Sequence, residues 1–182
     1  IFRVTGPLPV TALTATAPPA RRDEILASLG LHGVKQVVAS FERPELRFIV
    51  YGPWSEFNTI GGSASKQKTL LKILIAARQE GSSVIVYVNT TSQADLLTSQ
   101  LQLSGFDARA YHGRMSTMLR NNVQDLFIDD HIRIVVCTKA FGMGIDKPGI
   151  RYVIHYDVPG DLPSYAQEAG RAGRSMSEGE TA

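Results

Sequence analysis

From residue 66 onward, short apolar runs alternate with segments whose apolar residues recur at helical spacing. Residues 82–88, SSVIVYV, and 132–138, IRIVVCT, are apolar runs of strand length. Residues 107–112, DARAYH, and 151–157, RYVIHYD, predict two further strands. Strands that alternate with helices at this spacing are typical of a parallel sheet with helices on both faces. The pattern therefore predicts an α/β fold.

The helical segments lie between these strands and after the last one, at 66–81, 91–105, 116–128 and across 164–174. Ser92 and Asp95 have the spacing of a capping box, and Ser116 is placed to cap the next helix. By contrast, residues 52–65 are polar and rich in glycine without any period, which predicts a loop.

The pattern is less regular before residue 52. Residues 9–17, PVTALTATA, favour a strand, and Pro19 can begin a helix that ends at Gly30. Residues 35–40, KQVVAS, and 46–51, LRFIVY, predict two further short strands.

Composition narrows the class of protein. The chain has 182 residues, 43% of them hydrophobic and 20% charged, which is enough for one globular core or for one domain and part of another. A net charge of +2 is small, so any site for a polyanion must be local. Cys137 is the single cysteine, and the four histidines lack ligand spacing, so we expect neither a disulfide framework nor a metal site.

The same reasoning bears on location and completeness. No apolar run approaches the roughly 18 residues that cross a membrane, so we expect a soluble protein of a reducing compartment, cytoplasmic or nuclear, without membrane contact. The chain opens without a start methionine and stops without a closing element, from which we expect a fragment.

The stretch 167–175, QEAGRAGRS, places two glycines inside a predicted helix, and each interior glycine costs about 1 kcal/mol relative to alanine. In such a helix Gln167, Arg171 and Arg174 would share one face. An ordinary solvated helix end, with Glu168 paired to Arg171, is one interpretation. The other is a cationic surface that approaches a nucleotide.

Two segments follow strand ends, at the edge where open parallel sheets bind ligands. Residues 88–93, VNTTSQ, begin a helix at Thr91 or Ser92, and hydroxyls at a helix N-terminus suit a phosphate, although they also serve ordinary capping. In 111–115, YHGRM, His112 could contact a backbone phosphate or be merely structural.

A third segment, 137–149, CTKAFGMGIDKPG, follows the next strand. Gly142 and Gly144 permit close backbone approach or a positive φ, and Asp146 could accept a hydrogen bond from a sugar hydroxyl. A glycine-rich crossover with no ligand is the alternative. Two polar residues at the strand end could hold phosphates, Thr138 and Lys139.

The sequence has no G-x-x-x-x-G-K-[ST] phosphate loop and no D-E-x-H element for Mg²⁺. This chain alone therefore cannot present the usual cradle for a triphosphate and its metal. The arginines of 167–175 would then serve a nucleotide that is bound on another lobe.

Several motifs, in their order and spacing, resemble those of the RecQ DNA helicases: LTATA (13–17), FERPELR (41–47), YHGRM (111–115), AFGMGIDKP (140–148), RYVIHYDVP (151–159) and SYAQEAGRAGR (164–174). The resemblance implies an ATP-dependent 3′–5′ DNA helicase with RecA-like lobes. Residues 1–42 would be the tail of the first motor lobe, and 46–182 the second. Glu45 stands where the family usually has asparagine, which would weaken a local turn.

The resemblance also implies roles in nucleotide chemistry. Arg171 and Arg174 would reach the γ-phosphate of ATP on the missing first lobe, with Arg174 as the arginine finger, and Gln167 would couple the nucleotide to lobe closure. Gly144 and Asp146 would lie in the fifth motif, where Asp146 faces the ribose. ATP and Mg²⁺ would be held mainly by the first lobe.

For DNA, single-stranded or partly duplex, the resemblance implies a phosphate track lined by Thr91, Ser92, His112 and Thr138. The third motif, which couples hydrolysis to DNA movement, would contain Thr14 and Thr16. Two alternatives stay open: a non-enzymatic module that binds nucleic acid or a protein partner, and a different, RNA-directed family of two-lobed helicases.

Overall fold

The computed structural model describes residues 11–14, 19–38, 43–51, 62–142, 145 and 147–173. The chain divides into two compact units, Ile1–Glu42 and Arg43–Ala182. The sheet and the candidate site belong to the second.

Five helices and four strands lie in the described ranges: α1 (Pro19–Leu29), α2 (Gly62–Gln79), β1 (Ser83–Tyr87), α3 (Thr91–Leu103), β2 (Ala108–Tyr111), α4 (Thr117–Ile128), β3 (Ile134–Cys137), β4 (Ile150–His155) and α5 (Leu162–Ala169). None of these helices is long and apolar enough to cross a membrane.

The four strands form one parallel sheet in the order β2-β3-β1-β4. All five residues of β1 and all four of β3 are buried, which explains why both strands read as continuous apolar runs. In the register, Val86 pairs with Val136 on one side and with Ile154 on the other. The predicted parallel sheet is confirmed.

Side chains of β1 alternate between two apolar clusters, one on each face of the sheet. Val84 and Val86 pack with the face that α2 and α3 cover, where Leu74 and Leu101 are fully buried. Ile85 and Tyr87 pack with the face that α4 covers, where Phe127 is fully buried. Helices therefore cover both faces of the sheet, as the sequence predicts.

Helix boundaries follow the prediction except at the start of α2 and at the end of α5. α1 begins at Pro19, and Gly30 ends it with a φ of 65°. α2 begins at Gly62, so the loop predicted over 52–65 is wrong for its last four residues, and 52–61 lie outside the described residues. A helix propagates by one hydrogen bond per residue, so its first turn needs no apolar period of its own.

The predictions of early strands are wrong where the structure describes them. Residues 11–14, 35–38 and 46–51 are not strands, and the other positions of the runs 9–17 and 35–40 lie outside the described residues. Val37 is 84% exposed and Val50 is 86% exposed. β-branched residues favour a strand when they pack on a paired, half-buried surface, and these side chains have none.

Candidate functional site

Polar segments follow the carboxyl ends of the strands and meet at one edge of the sheet. β1, β2, β3 and β4 end at Tyr87, Tyr111, Cys137 and His155. Because all four are parallel, the segments that carry Thr91, Ser92, His112, Thr138 and Lys139 leave this carboxyl edge together. The structure thus brings these residues to one edge, and their roles stay predictions.

The first of these segments begins α3, and its cap differs from the predicted one. Thr90 is the N-cap, with extended backbone (φ −125°, ψ 152°), and its hydroxyl accepts from the Gln93 amide at 3.2 Å. Ser92 is already inside the first helical turn, so the capping box predicted for Ser92 and Asp95 is wrong. Thr91 is partly buried, whereas Ser92 is exposed.

His112 is held from the side by α3. Its side chain is 7% exposed, and its Nε2 lies 2.9 Å from Asp95 Oδ1. Its Nδ1 is buried without a hydrogen-bond partner in the described structure. The Asp95 carboxylate therefore occupies Nε2 and orients the ring, and Nδ1 is the nitrogen that stays unpaired.

Thr138 and Lys139 leave β3 in different environments. Thr138 is 9% exposed, and its backbone amide donates to Tyr111 O at 3.2 Å. Lys139 is exposed, and its charge contributes to a lowered pKa of Asp161. The main cause of that lower pKa is the Ser164 amide, which donates to Asp161 Oδ1 at 2.7 Å where Asp161 caps α5.

Asp157 was not singled out from the sequence, yet it joins three elements at this edge. Its carboxylate accepts from the Asn89 amide at 3.1 Å and from Gln93 Nε2 at 3.4 Å. Lys66 Nζ of α2 lies 3.5 Å from the same carboxylate. The sequence signal for this role was the position of Asp157 just after β4, because β4 ends beside the end of β1.

The arginine-rich segment is not one continuous helix. α5 ends at Ala169 with Gly170 as its C-cap, and Gly173 has a φ of 67°. Both glycines thus lie beyond the helix, and no interior-glycine cost needs compensation. Gly173 N donates to Ile150 O at 3.2 Å, which fixes the turn 170–173 on the start of β4.

Arg43 supports the same turn. Its Nη2 donates to Ala172 O at 3.2 Å, and its Nε pairs with the Glu45 carboxylate. The local turn at Glu45 is formed, since Leu46 N donates to Arg43 O at 2.9 Å. The turn that Glu45 was expected to weaken is therefore present, with Glu45 paired to Arg43.

The predicted shared face of Gln167 and Arg171 is wrong. Gln167 is exposed on α5, whereas Arg171 is 6% exposed and donates from Nη1 to Gly142 O. The alternative pair of Glu168 with Arg171 is also not found, because Glu168 binds His155 instead. The error follows from the end of the helix at Ala169, which redirects the Arg171 side chain. Arg174 lies outside the described residues.

Gly142 packs directly against this guanidinium. Its φ is 131°, and a Cβ added there would lie 2.2 Å from Arg171 Cζ. The close backbone approach that the sequence predicts at Gly142 is therefore present, with Arg171 as the neighbouring group. Gly144 and Asp146, predicted to border the nucleotide, lie outside the described residues.

Two aromatic residues behind the glycine segment were also missed by sequence reasoning. Tyr87 Oη donates to Phe141 O at 3.2 Å, and the His155 ring stacks on the Tyr87 ring at 5.4 Å. Burial raises the pKa of Tyr87 strongly, and the Arg171 charge opposes part of that shift. Burial lowers the pKa of His155, opposed by its hydrogen bond to Glu168.

The remaining predicted residues lie in the first unit. Thr14 is described within 11–14, an exposed stretch without strand structure, and Thr16 lies outside the described residues. The described residues contain no group of three or more His, Cys, Asp or Glu side chains that could hold a metal ion.

A model of the helicase conserved C-terminal domain matches residues 65–176 of this chain. The chain belongs to that family. Two curated relatives are the ATP-dependent DNA helicases RecQ of Haemophilus influenzae and Bacillus subtilis. The first is 38% identical over 166 residues, 91% of this chain and 25% of the relative. The second is 37% identical over 175 residues, 96% of this chain and 28% of the relative.

These values confirm the resemblance to the RecQ type, and this helicase C-terminal lobe spans about a quarter of the length of such relatives. The solved structure of Saccharomyces cerevisiae Dbp5 bound to RNA and ADP BeF3 has a TM-score of 0.68 at 21% identity, covering 88% of this chain and 41% of that chain. At that identity it supports the fold alone.

A second structure, a DEAD box protein from the hyperthermophile Methanococcus jannaschii, has a TM-score of 0.54 at 30% identity. It covers 61% of this chain and 30% of that chain. The parallel sheet, with helices on both faces, is therefore the RecA-like fold that the sequence predicts.

Proposed function

We propose that this domain is the second motor lobe of an ATP-dependent 3′–5′ DNA helicase of RecQ type. It would supply an arginine finger, Arg174, to ATP and Mg²⁺ held mainly by a first lobe. The proposal is supported by the similarity of the chain, over more than nine tenths of its length, to proteins named as ATP-dependent DNA helicases RecQ. We also propose that residues 1–42 are the tail of that first lobe.

The observation that carries the proposal is the anchored turn at residues 170–173. Arg171 binds Gly142 O, Gly173 N binds Ile150 O, and Arg43 binds Ala172 O. These contacts fix the position of the turn, and Arg174 follows it directly in the chain. A guanidinium suits a finger because it stays charged at all physiological pH values and binds phosphate oxygens in a planar fork.

The division of work between lobes explains why the chain contains arginines without a phosphate loop. In phosphoryl transfer, an arginine supplied from elsewhere neutralises charge in the transition state and contributes roughly 10³ to 10⁵ in rate. If ATP lies on one lobe and Arg174 on the other, hydrolysis depends on lobe closure. Because Arg171 is bound to Gly142 O, we assign the contact with the γ-phosphate to Arg174 and the holding of the turn to Arg171. Gln167, exposed on α5, would help couple closure to the nucleotide.

The carboxyl edge would hold one strand of DNA through its phosphates. Ser92 and Lys139 are exposed there, whereas Thr91, His112 and Thr138 are partly or mostly buried. Contacts to phosphates carry no base information directly, so binding should be largely independent of sequence and should weaken with salt. In the same proposal, Asp146 would face the ribose with Gly144 beside it. Thr14 and Thr16 would couple hydrolysis to DNA movement.

The test measures ATP hydrolysis by the complete product of the gene that encodes this chain, with and without single-stranded DNA. We expect stimulation by DNA, and Arg174→Ala should lower kcat about 10³-fold while ATP still binds. Arg151→Ala is a matched control, because Arg151 is an exposed arginine that pairs with Glu80 at the opposite edge. It should leave kcat unchanged.

Three results would overturn parts of the proposal. A complete wild-type protein that DNA does not stimulate would favour the non-enzymatic binding module. Stimulation by RNA alone would place the protein with RNA-directed helicases. Unwinding of duplexes with a 5′ tail, but not of those with a 3′ tail, would contradict the 3′–5′ polarity.

A further inference from the structure

We propose that Tyr87, His155 and Glu168 are positioning residues that, together with Arg171, hold the turn after α5 against the glycine segment after β3. The inference rests on the proposed function, since that turn leads directly into Arg174. The contacts of these residues form a closed path from α5 through the sheet and back to the turn.

The path begins where α5 is attached to β4. Glu168 Oε2 lies 2.9 Å from His155 Nε2, and the two side chains are 13% and 12% exposed. The Glu168 carboxylate accepts hydrogen bonds only, so His155 Nε2 is the donor. Burial lowers the pKa of His155 below its ordinary value, and the hydrogen bond to Glu168 opposes this shift. A hydrogen bond to a charged acceptor, shielded from water, is stronger than an exposed one.

The path then crosses from β4 to β1. His155 and Tyr87 are register partners on adjacent strands, and their rings stack at 5.4 Å with an angle of 15°. Tyr165 of α5 places its ring 4.9 Å from the same imidazole. The imidazole is therefore enclosed by a strand residue and a helix residue, which fixes α5 in position relative to β1.

From β1 the path reaches the segment after β3. Tyr87 Oη donates to Phe141 O at 3.2 Å, and this contact is buried. The Phe141 ring packs edge-on against Tyr111 at 4.7 Å and Phe127 at 5.7 Å. Tyr87 and the aromatic cluster thus hold the residue that immediately precedes Gly142.

Arg171 closes the path. It lies three residues after Glu168 and donates to Gly142 O, the carbonyl next to the one that Tyr87 binds. Two consecutive carbonyls are therefore held, one from the sheet and one from the turn. A phosphate-binding group must be placed accurately, because a displacement of about 1 Å can cost roughly 100-fold in rate. Loosening one contact of the path would shift the turn, and with it Arg174.

The experiment uses Tyr87→Phe in the complete gene product, which removes one oxygen and keeps the ring. We expect kcat for DNA-stimulated ATP hydrolysis to fall about tenfold, with less than about twofold change in KM for ATP and in affinity for single-stranded DNA. Tyr152→Phe is the matched control: Tyr152 lies on β4 and donates to Glu80 at 2.9 Å, near the opposite edge. It should leave kcat unchanged.

A second variant guards against a folding defect in Tyr87→Phe. Glu168→Ala removes the attachment of α5 at a partly exposed position, and it should reproduce the fall in kcat. Glu168→Gln keeps an oxygen that accepts from His155 and should restore most of the rate. A merely structural role would instead lower thermal stability and the active fraction, and leave kcat per active molecule unchanged.

The deciding experiment combines Tyr87→Phe with Arg174→Lys. If Tyr87 acts through Arg174, adding Tyr87→Phe to Arg174→Lys should cost much less than it costs alone. Full additivity, or an unchanged kcat in Tyr87→Phe while Arg174→Ala has lost activity, would overturn this inference and leave the proposed function intact. An unchanged kcat in Arg174→Ala would instead overturn the proposed function itself.

Discussion

Two buried cations, Lys147 and Arg171, have different hydrogen-bond partners. At the amino edge, Lys147 is 3% exposed and donates to Asp130 Oδ1 at 2.8 Å and to Ile128 O at 3.2 Å. It also lies 5.4 Å from the centre of the Phe127 ring. In the turn after α5, Arg171 is 6% exposed and binds Gly142 O, and its Nε is buried without a partner in the described residues.

This difference is consistent with a structural role for Lys147 and with the proposed functional role of the turn that contains Arg171. A buried charge that is fully paired contributes a specific, closed arrangement. A buried donor left unpaired costs about 1 to 3 kcal/mol, and such a cost calls for an explanation such as a bound ligand or a mechanistic role. Burial and charge alone do not distinguish Lys147 from Arg171; the completeness of their hydrogen bonding does.

The largest expected loss of stability comes from Gly142→Ala, beside the Arg171 guanidinium. Its φ of 131° is unfavourable for any side chain, and the new Cβ would lie 2.2 Å from Arg171 Cζ. We expect the free energy of unfolding to fall by about 3 kcal/mol. Urea denaturation of the variant measures this value.

The double variant of Gly142→Ala with Arg171→Ala isolates the steric part. With the guanidinium gone, we expect part of the lost stability to return while the backbone strain remains. A wild-type unfolding midpoint for Gly142→Ala would contradict the packing of Gly142 against Arg171.

An intermediate effect is expected from Asp130→Asn at the amino edge. The change leaves Lys147 buried without its counter-charge, and asparagine tolerates the φ of 61° at this position. We expect a loss of about 2 kcal/mol, below the value for a fully buried pair because the Asp130 side chain is 50% exposed. Asp129→Asn, the neighbouring exposed carboxylate, is the control. ATP hydrolysis should stay unchanged, and a fall in kcat would contradict a purely structural role for the pair of Lys147 and Asp130.

The same pair predicts a pH dependence. Lys147 holds the pKa of Asp130 below its ordinary value of 3.8, so the ionised form is favoured by folding. The stabilisation is present above the ordinary pKa and is lost as pH falls through the lower, folded one. Thermal unfolding at pH 7 and near pH 3 should show the gap between wild type and Asp130→Asn closing in acid. A gap of constant size would contradict the assignment.

The smallest expected effect sharpens the description of the carboxyl edge itself. Thr90→Ala removes the cap of α3 and should cost about 1 kcal/mol, whereas Ser92→Ala should change stability by less than about 0.5 kcal/mol. Denaturation of both variants measures the difference. Equal losses of stability would indicate that Ser92 also caps α3, a role that requires no contact with DNA.

Much of the sheet could be predicted, because β1 and β3 are buried on both faces and therefore read as apolar runs. The short run at 46–51 has similar residues and does not form a strand. A strand requires a partner to receive its backbone hydrogen bonds, and a local pattern does not reveal whether one is present. The RecQ resemblance did not resolve this, since it rests on motifs and not on pairing.

Local sequence by itself determined the alternation of helices and strands from α2 onward, the parallel sheet, and the edge at which His112, Thr138 and Lys139 meet. The tertiary structure decided how those residues are used. Arg171 lies far from Gly142 in the chain, 29 residues on, and its burial depends on a turn that no helical period describes. His155 and Tyr87 became partners because two strands pair in one register. Periodicity is a property of neighbouring residues, whereas a site is made by distant ones that packing brings together.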